Sequence, residues 1–231
     1  MPYRKTIVCL ANSRKMSGRC IAGKEIDDRR CLGGWIRPVS DRPTQEISEE
    51  ERQFKRGGDP KLLDIIQIEM LESRPHAPQL ENHLINPRSY WVNEGKATWD
   101  EVKSATDEVH GALWINGSSS YNGTNDRIPE ARAACLSSSL LLIEPEDLVI
   151  SVAVEGADFN NPKRKVRAQF KLNNESYVIA VTDPIATREY LAKDDGEYAV
   201  DVALLCVSIG EPYQGNCYKL AAAVITPDQV G

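Results

Sequence analysis

Thr6-Ile7-Val8-Cys9-Leu10, Arg19-Cys20-Ile21-Ala22-Gly23 and Gly34-Trp35-Ile36-Arg37-Pro38-Val39-Ser40 are three short β-type runs, and the chain opens with them. A polar turn from Lys15 to Gly18 separates the first two. In the third, strand alternation places Trp35 and Arg37 on one face and Ile36 on the other. Pro38 lacks an amide donor and so belongs at a strand edge or end. Similar runs return downstream at residues 65–70, 140–143, 148–154, 166–172, 177–182, 202–209 and 218–225. Asn173-Asn174 reads as the turn of a hairpin, because Asn tolerates the positive φ that tight turns need.

The segments between these runs differ. Residues 41–60 are charged and punctuated by Gly and Pro, a long surface excursion. Trp99, Val102, Ala105 and Val109 share one helical side, so the spacing predicts a helix over 99–109, capped by Thr98 and stopped by Gly111. Residues 116–125 are rich in Gly, Ser and Asn and read as a flexible loop. A helical turn is expected over 131–136. A short helix over 184–192 has Pro184 at its first position and Asp183 as its cap. The whole pattern predicts a mainly β (α+β) fold of two small barrel-like modules, at 1–80 and 140–231, joined by a helix-containing connector at 81–139. No clean linker separates the modules, so shared strands remain open. A Rossmann or P-loop site is excluded, since neither G-x-G-x-x-G nor G-x-x-x-x-G-K-[ST] occurs.

Composition narrows the function. The 231 residues carry a formal charge of −6, with 41% hydrophobic and 27% charged residues. That is a globular profile, and the acidic total argues against diffuse binding to polyanions. The total conceals a gradient. Residues 1–42 hold ten Lys/Arg against four Asp/Glu, whereas residues 43–231 hold eighteen against thirty. No apolar run reaches the length of a membrane span, and the run starting at Ile7 is too short for a secretory signal. The six cysteines are too sparse for a disulfide scaffold. Cys9, Cys135 and Cys206 lie in apolar runs and read as buried hydrophobes. The three His show no zinc-ligand spacing to any Cys. A cytoplasmic protein without metal or cofactor is expected.

Two basic constellations stand out. The first joins the loop residues Ser13, Arg14, Lys15 and Arg19 to the strand residues Trp35 and Arg37. Cations beside an aromatic on one sheet face suit single-stranded nucleic acid, with bases stacked on the ring and phosphates on guanidinium. The same residues also suit a solvated hairpin, with Trp35 capping a core and Arg37 in a surface pair. The second is Lys163, Arg164, Lys165 and Arg167, which serves equally as a solvated strand edge. Nucleophile elbows, spaced carboxylate pairs and Cys–His partners are missing, so no catalytic residue is assigned.

The pattern Lys5-Thr6-Ile7-Val8-Cys9-Leu10-Ala11-x-Ser13-x-Lys15-x-x-Gly18-Arg19-Cys20-Ile21-Ala22-Gly23, followed by Gly34-Trp35-Ile36-Arg37-Pro38-Val39-Ser40, resembles the bacterial dual OB-containing domain family. So do Val207-Ser208-Ile209-Gly210-Glu211-Pro212-Tyr213 and the segment Tyr218-Lys219-Leu220-Ala221-Ala222-Ala223-Val224-Ile225. The resemblance implies two OB-like barrels and a nucleic-acid or nucleotide-ligand role, in a bacterial conflict or defence setting, and it carries no catalytic residues. Together these readings predict a non-catalytic module binding single-stranded or structured RNA or DNA. The alternatives are a protein-interaction adaptor, or a sensor or enzyme for a nucleotide-like small molecule near Ser13, Arg19 and Arg37.

Overall fold

The unbroken apolar run at the start of the chain implies a strand covered on both faces, because a half-buried strand would alternate. The computed structural model, which describes residues 1–230, bears this out in β1 (Tyr3–Lys15). Ile7 and Cys9 point into one core with Ile21, Ile36, Ile66 and Trp91. Val8 and Leu10 point into a different core, which also holds Leu140, Leu142, Leu204 and Cys206.

The first sheet contains β1, β2 (Gly18–Ile26), β3 (Leu32–Val39), β4 (Asp64–Ser73), β5 (Asn82–Ile85) and β6 (Val92–Lys96). Its order is β1-β2-β3-β5-β4-β6. The N-terminal half of β1 pairs with β4 and the C-terminal half with β2, so five strands form a closed circuit of pairings. Strands β3 and β5 run parallel within it. The connector expected at 81–139 is therefore not separate at its start, since β5 and β6 belong to this sheet.

After β6 come α1 (Trp99–Ser104), β7 (Arg127–Pro129) and α2 (Glu130–Ala133). The second sheet contains β8 (Leu140–Ile143), β9 (Glu146–Glu155), β10 (Lys163–Leu172), β11 (Glu175–Val181), β12 (Gly196–Ala199), β13 (Leu204–Ile209) and β14 (Asn216–Ile225). The order is β12-β9-β10-β11-β14-β13-β8, with β7 on β14. Strands β8 and β9 are consecutive, interrupted at Glu144-Pro145, and proline cannot donate to a ladder. One nearly continuous segment thus pairs with β13 through β8 and with β10 through β9. The second sheet repeats the circuit of the first, with its opening strand split. Strands β11 and β14 are parallel, matching β3 and β5. Between β11 and β13 lies α3 (Pro184–Leu191), with Asp183 accepting from the amides of Ile185 and Ala186.

The fold is thus mainly β, in two sheets, and no described helix is long and apolar enough to cross a membrane. Three expectations change. The helix at 99 stops at Ser104, because the chain is drawn away: the Asp107 amide donates to the Leu142 carbonyl and the Asp107 carboxylate accepts from the Leu142 amide. The excursion at 41–60 is anchored, with Ile47 fully buried and exchanging backbone hydrogen bonds with Arg19. Cys135 is exposed, since its run forms the open side of α2 and the turn after it; Cys9 and Cys206 are buried.

The core shared by the sheets couples them, so they are expected to unfold together. Leu10→Ala should cost about 2–5 kcal/mol, the range for a buried Leu truncated in a packed core. Urea unfolding followed by circular dichroism and Trp fluorescence should still give coincident single transitions. Two separated transitions, with only one displaced, would show that the sheets unfold independently.

Candidate nucleic-acid interface

Strand alternation in β3 holds for Trp35 and Arg37, but the face they share is not a solvent face. Arg37 is only 3% exposed. It donates to Ser139 Oγ at 2.8 Å and to Glu81 Oε1 at 3.1 Å, and another guanidinium nitrogen lies 3.0 Å from Cys20 Sγ. Ser139 also donates to Glu81. Burial opposes the charge of Arg37, but Cys20 and Glu81 outweigh it and hold the guanidinium above its ordinary pKa. Arg37 is therefore tied to Glu81 within the first sheet and to Ser139 at the start of the second. Trp35 Nε1 donates to Asp107 Oδ2 at 3.0 Å, with Lys24 over the ring at 5.5 Å, and the indole packs on the shared core. Lys24 in turn donates to Asp107 Oδ1 at 2.6 Å. The proposed stacking ring is thus engaged inside the molecule. Its capping role was one of the two readings open at the start; the surface pair expected for Arg37 is instead a buried one.

The hairpin between β1 and β2 sorts its polar residues differently. Ser13 is buried, and Lys15 is bonded to Glu211, in the turn between β13 and β14, at 2.7 Å. The backbone amide of Arg14 donates to the Thr182 carbonyl at 3.1 Å, which seats the hairpin tip against the start of α3. The Arg14 guanidinium remains exposed, and no described side chain pairs with it. It borders an open groove with Arg188 and Leu191 of α3, and a smaller hollow with Arg19 and Arg52. Arg19 is half-buried, and burial together with neighbouring Arg52 and Arg14 lowers its pKa.

The second basic island lies on β10. Arg164 reaches the end of α3, donating to the carbonyls of Leu191 at 2.8 Å and Lys193 at 2.6 Å and to Asp195. Since Leu191 also lines the groove beside Arg14, the two basic constellations approach each other across α3. Arg167 is spent on a two-pronged pair with Glu155. Lys163 and Lys165 stay exposed with no ion pair among the described residues.

Beside these lysines stand two rings that sequence reasoning passed over. Tyr121 is 74% exposed and Phe159 67%, and they meet edge to face with centroids 5.6 Å apart. Phe159 projects from the turn joining β9 to β10, which begins at Gly156 with φ of +80°. A side chain there would also press on the Asn161 carbonyl at 2.5 Å, so Gly is required. Tyr121 comes from the loop at 116–125, which is pinned and not free. Tyr121 Oη donates to Asp158, Asn122 donates to Glu155, and Thr124 pairs through its backbone with Val178. Because Glu155 is the ladder partner of Lys163, these bonds bring both rings to the lysine end of β10. The signal available in the sequence was two aromatics in polar, turn-rich surroundings, with no apolar neighbours in the chain to cover them. By contrast, the cleft bordered by Glu144, Asp147 and Asp201 is acidic and suits no polyanion.

A model of the dual OB-containing domain family matches residues 5–224, nearly the whole chain. No curated protein and no solved structure matches it.

Removing one partner of a buried ion pair strands the other charge, at a cost of about 3–5 kcal/mol. Glu81→Leu should therefore lower stability by that order. The double replacement Arg37→Met/Glu81→Leu should recover most of the loss, because two apolar groups leave no stranded charge. A double variant no more stable than the single one, by urea titration, would show that the pair itself carries the stability.

Proposed function

The chain belongs to the dual OB-containing domain family, and from that premise we propose that it is a non-catalytic nucleic-acid-binding protein that takes unpaired RNA or DNA. The observation that carries the reading is the exposed pair Tyr121 and Phe159 beside the unpaired cations Lys163 and Lys165. Bases of a single strand present apolar faces that stack on such rings, while the phosphates between them require fixed positive charge. The same strand and turn positions of OB folds commonly serve oligonucleotides, which supports the choice of surface. Glu155 does not oppose a phosphate there, since Arg167 neutralises it.

In this reading the nucleic acid meets the second sheet, not the β3 face expected from Trp35 and Arg37. Ring and charge contribute separately. The rings supply affinity independent of sequence, since every base has a π-face, and the lysines supply the salt-dependent part.

Binding of an oligothymidylate, followed by fluorescence anisotropy, tests the reading. Tyr121→Ala and Phe159→Ala should each weaken binding by about 1–3 kcal/mol, the range for one stacked base. Lys163→Ala and Lys165→Ala should each flatten the slope of log K against log salt by about 0.7, the increment per phosphate on a single strand. Undiminished binding by the quadruple variant would refute this interface.

A further inference from the structure

We propose that the hollow between the β1–β2 hairpin and the start of α3 binds a phosphomonoester, the terminal phosphate of a nucleotide or of a nucleic-acid strand, held by Arg14 and Arg19. This site lies apart from the Tyr121 and Phe159 surface and rests on separate observations.

The hollow has a volume of about 260 Å³, and Arg14, Arg19 and Arg52 all line it, together with Ser17 and Gly18 of the hairpin turn and Pro184 of α3. Three guanidinium groups around one small space repel each other unless anions stand between them. The carboxylates whose charge acts on Arg19 are Asp59 and Asp183. Asp59 is engaged by Arg52 at 2.9 Å. Asp183 is buried and accepts from the backbone amides of Ile185, Ala186 and Val224. Neither is bonded to Arg14 or Arg19. Capping by Asp183 also occupies the first amides of α3, so the helix end contributes nothing further to an anion.

Arg52 is only 7% exposed, and its terminal nitrogens donate to Asp59 and to the Ile47 carbonyl, so it contributes fixed positive charge to the wall of the hollow. The donors open to a ligand are those of Arg14 and Arg19, and a compact acceptor in the hollow fits them. A phosphomonoester carries close to two negative charges at neutral pH and three terminal oxygens, and it matches forked guanidinium donors in geometry and charge. A phosphodiester inside a strand has one charge and two such oxygens, and it needs an exit on both sides.

The test uses calorimetry on the full chain with paired probes: octathymidylate with a 5′-phosphate, a 3′-phosphate or neither, and thymidine 5′-monophosphate against thymidine. At least one phosphorylated probe should bind about tenfold tighter than its unphosphorylated partner, the loss or gain typical of one charge-assisted hydrogen bond. Arg14→Gln and Arg19→Gln, both on accessible side chains, should each remove most of that gain while leaving the melting temperature within a few degrees of the parent. The gain should also shrink below about pH 6, where the monoester loses its second charge. It should persist in Tyr121→Ala/Phe159→Ala, so failure of one site is distinguishable from failure of the other. A gain seen with the mononucleotide assigns the source as free nucleotide; a gain confined to the octamers assigns it as a strand end. Equal binding of every phosphorylated and unphosphorylated pair would overturn the proposal, as would a gain that survives Arg14→Gln/Arg19→Gln.

Discussion

Arg37, Glu81 and Ser139 form the buried contact on which the arrangement of the two sheets turns. A guanidinium removed from water is tolerable only when paired and hydrogen-bonded. Here the partners come from three places in the chain: β3, the segment before β5 and the residue that introduces β8. The ion pair itself lies within the first sheet, and Ser139, at the start of the second, is hydrogen-bonded to both of its members. That hydroxyl ties the second sheet to the pair, while the apolar contacts around it provide most of the driving force. Trp35, two residues from Arg37 on the same strand face, is carried to the same boundary and meets Asp107 there.

The apolar part of that boundary explains a feature of several strands. In β13, Leu204 and Cys206 enter the shared core while Leu205 and Val207 enter the core of the second sheet. In β14, Ala222 and Ala223 face the shared core and Ala221 and Val224 the other. Small side chains at Ala221-Ala222-Ala223 let β1 and β14 pack close together. A consequence is that the β1–β2 hairpin, continuing beyond the packed part of β1, comes to rest against α3. That contact brings Arg14 beside Arg188 of α3.

The net charge of −6 takes on a different meaning in three dimensions. Many cations of the basic N-terminal stretch are consumed internally: Lys5 by Glu25, Lys15 by Glu211, Lys24 by Asp107, Arg30 by Glu101 and Arg37 by Glu81. Arg4, Arg14, Arg19 and Arg29 are left without an ion pair, and of these Arg14 and Arg19 line one hollow; on β10 Lys163 and Lys165 are left unpaired in the same way. A local count of +6 therefore overstated the binding surface, since most of it is structural. Near the proposed interfaces Glu155 is paired with Arg167, Asp183 accepts from backbone amides, and Asp158 accepts from Tyr121.

The sequence by itself determined the β class, most strand positions, the Asp183–Pro184 helix start, the family resemblance and the cations on each constellation. These follow from local rules: period-2 or continuous apolar runs, turn residues and caps. It did not decide which face of a strand meets water. Trp35 and Arg37 alternate as expected, yet their face is covered by a sheet more than a hundred residues away in the chain. Nor could local patterning end the helix at Ser104, where Asp107 is claimed by Leu142, or immobilise the loop at 116–125, which is held by Asp158, Glu155 and Val178. The exposure of Tyr121 and Phe159 is likewise a tertiary outcome, since an aromatic in a polar loop is buried or displayed according to what packs over it. Residue type fixed which groups can bind an anion or a base; only the packing of the two sheets decided which of them remain free to do so.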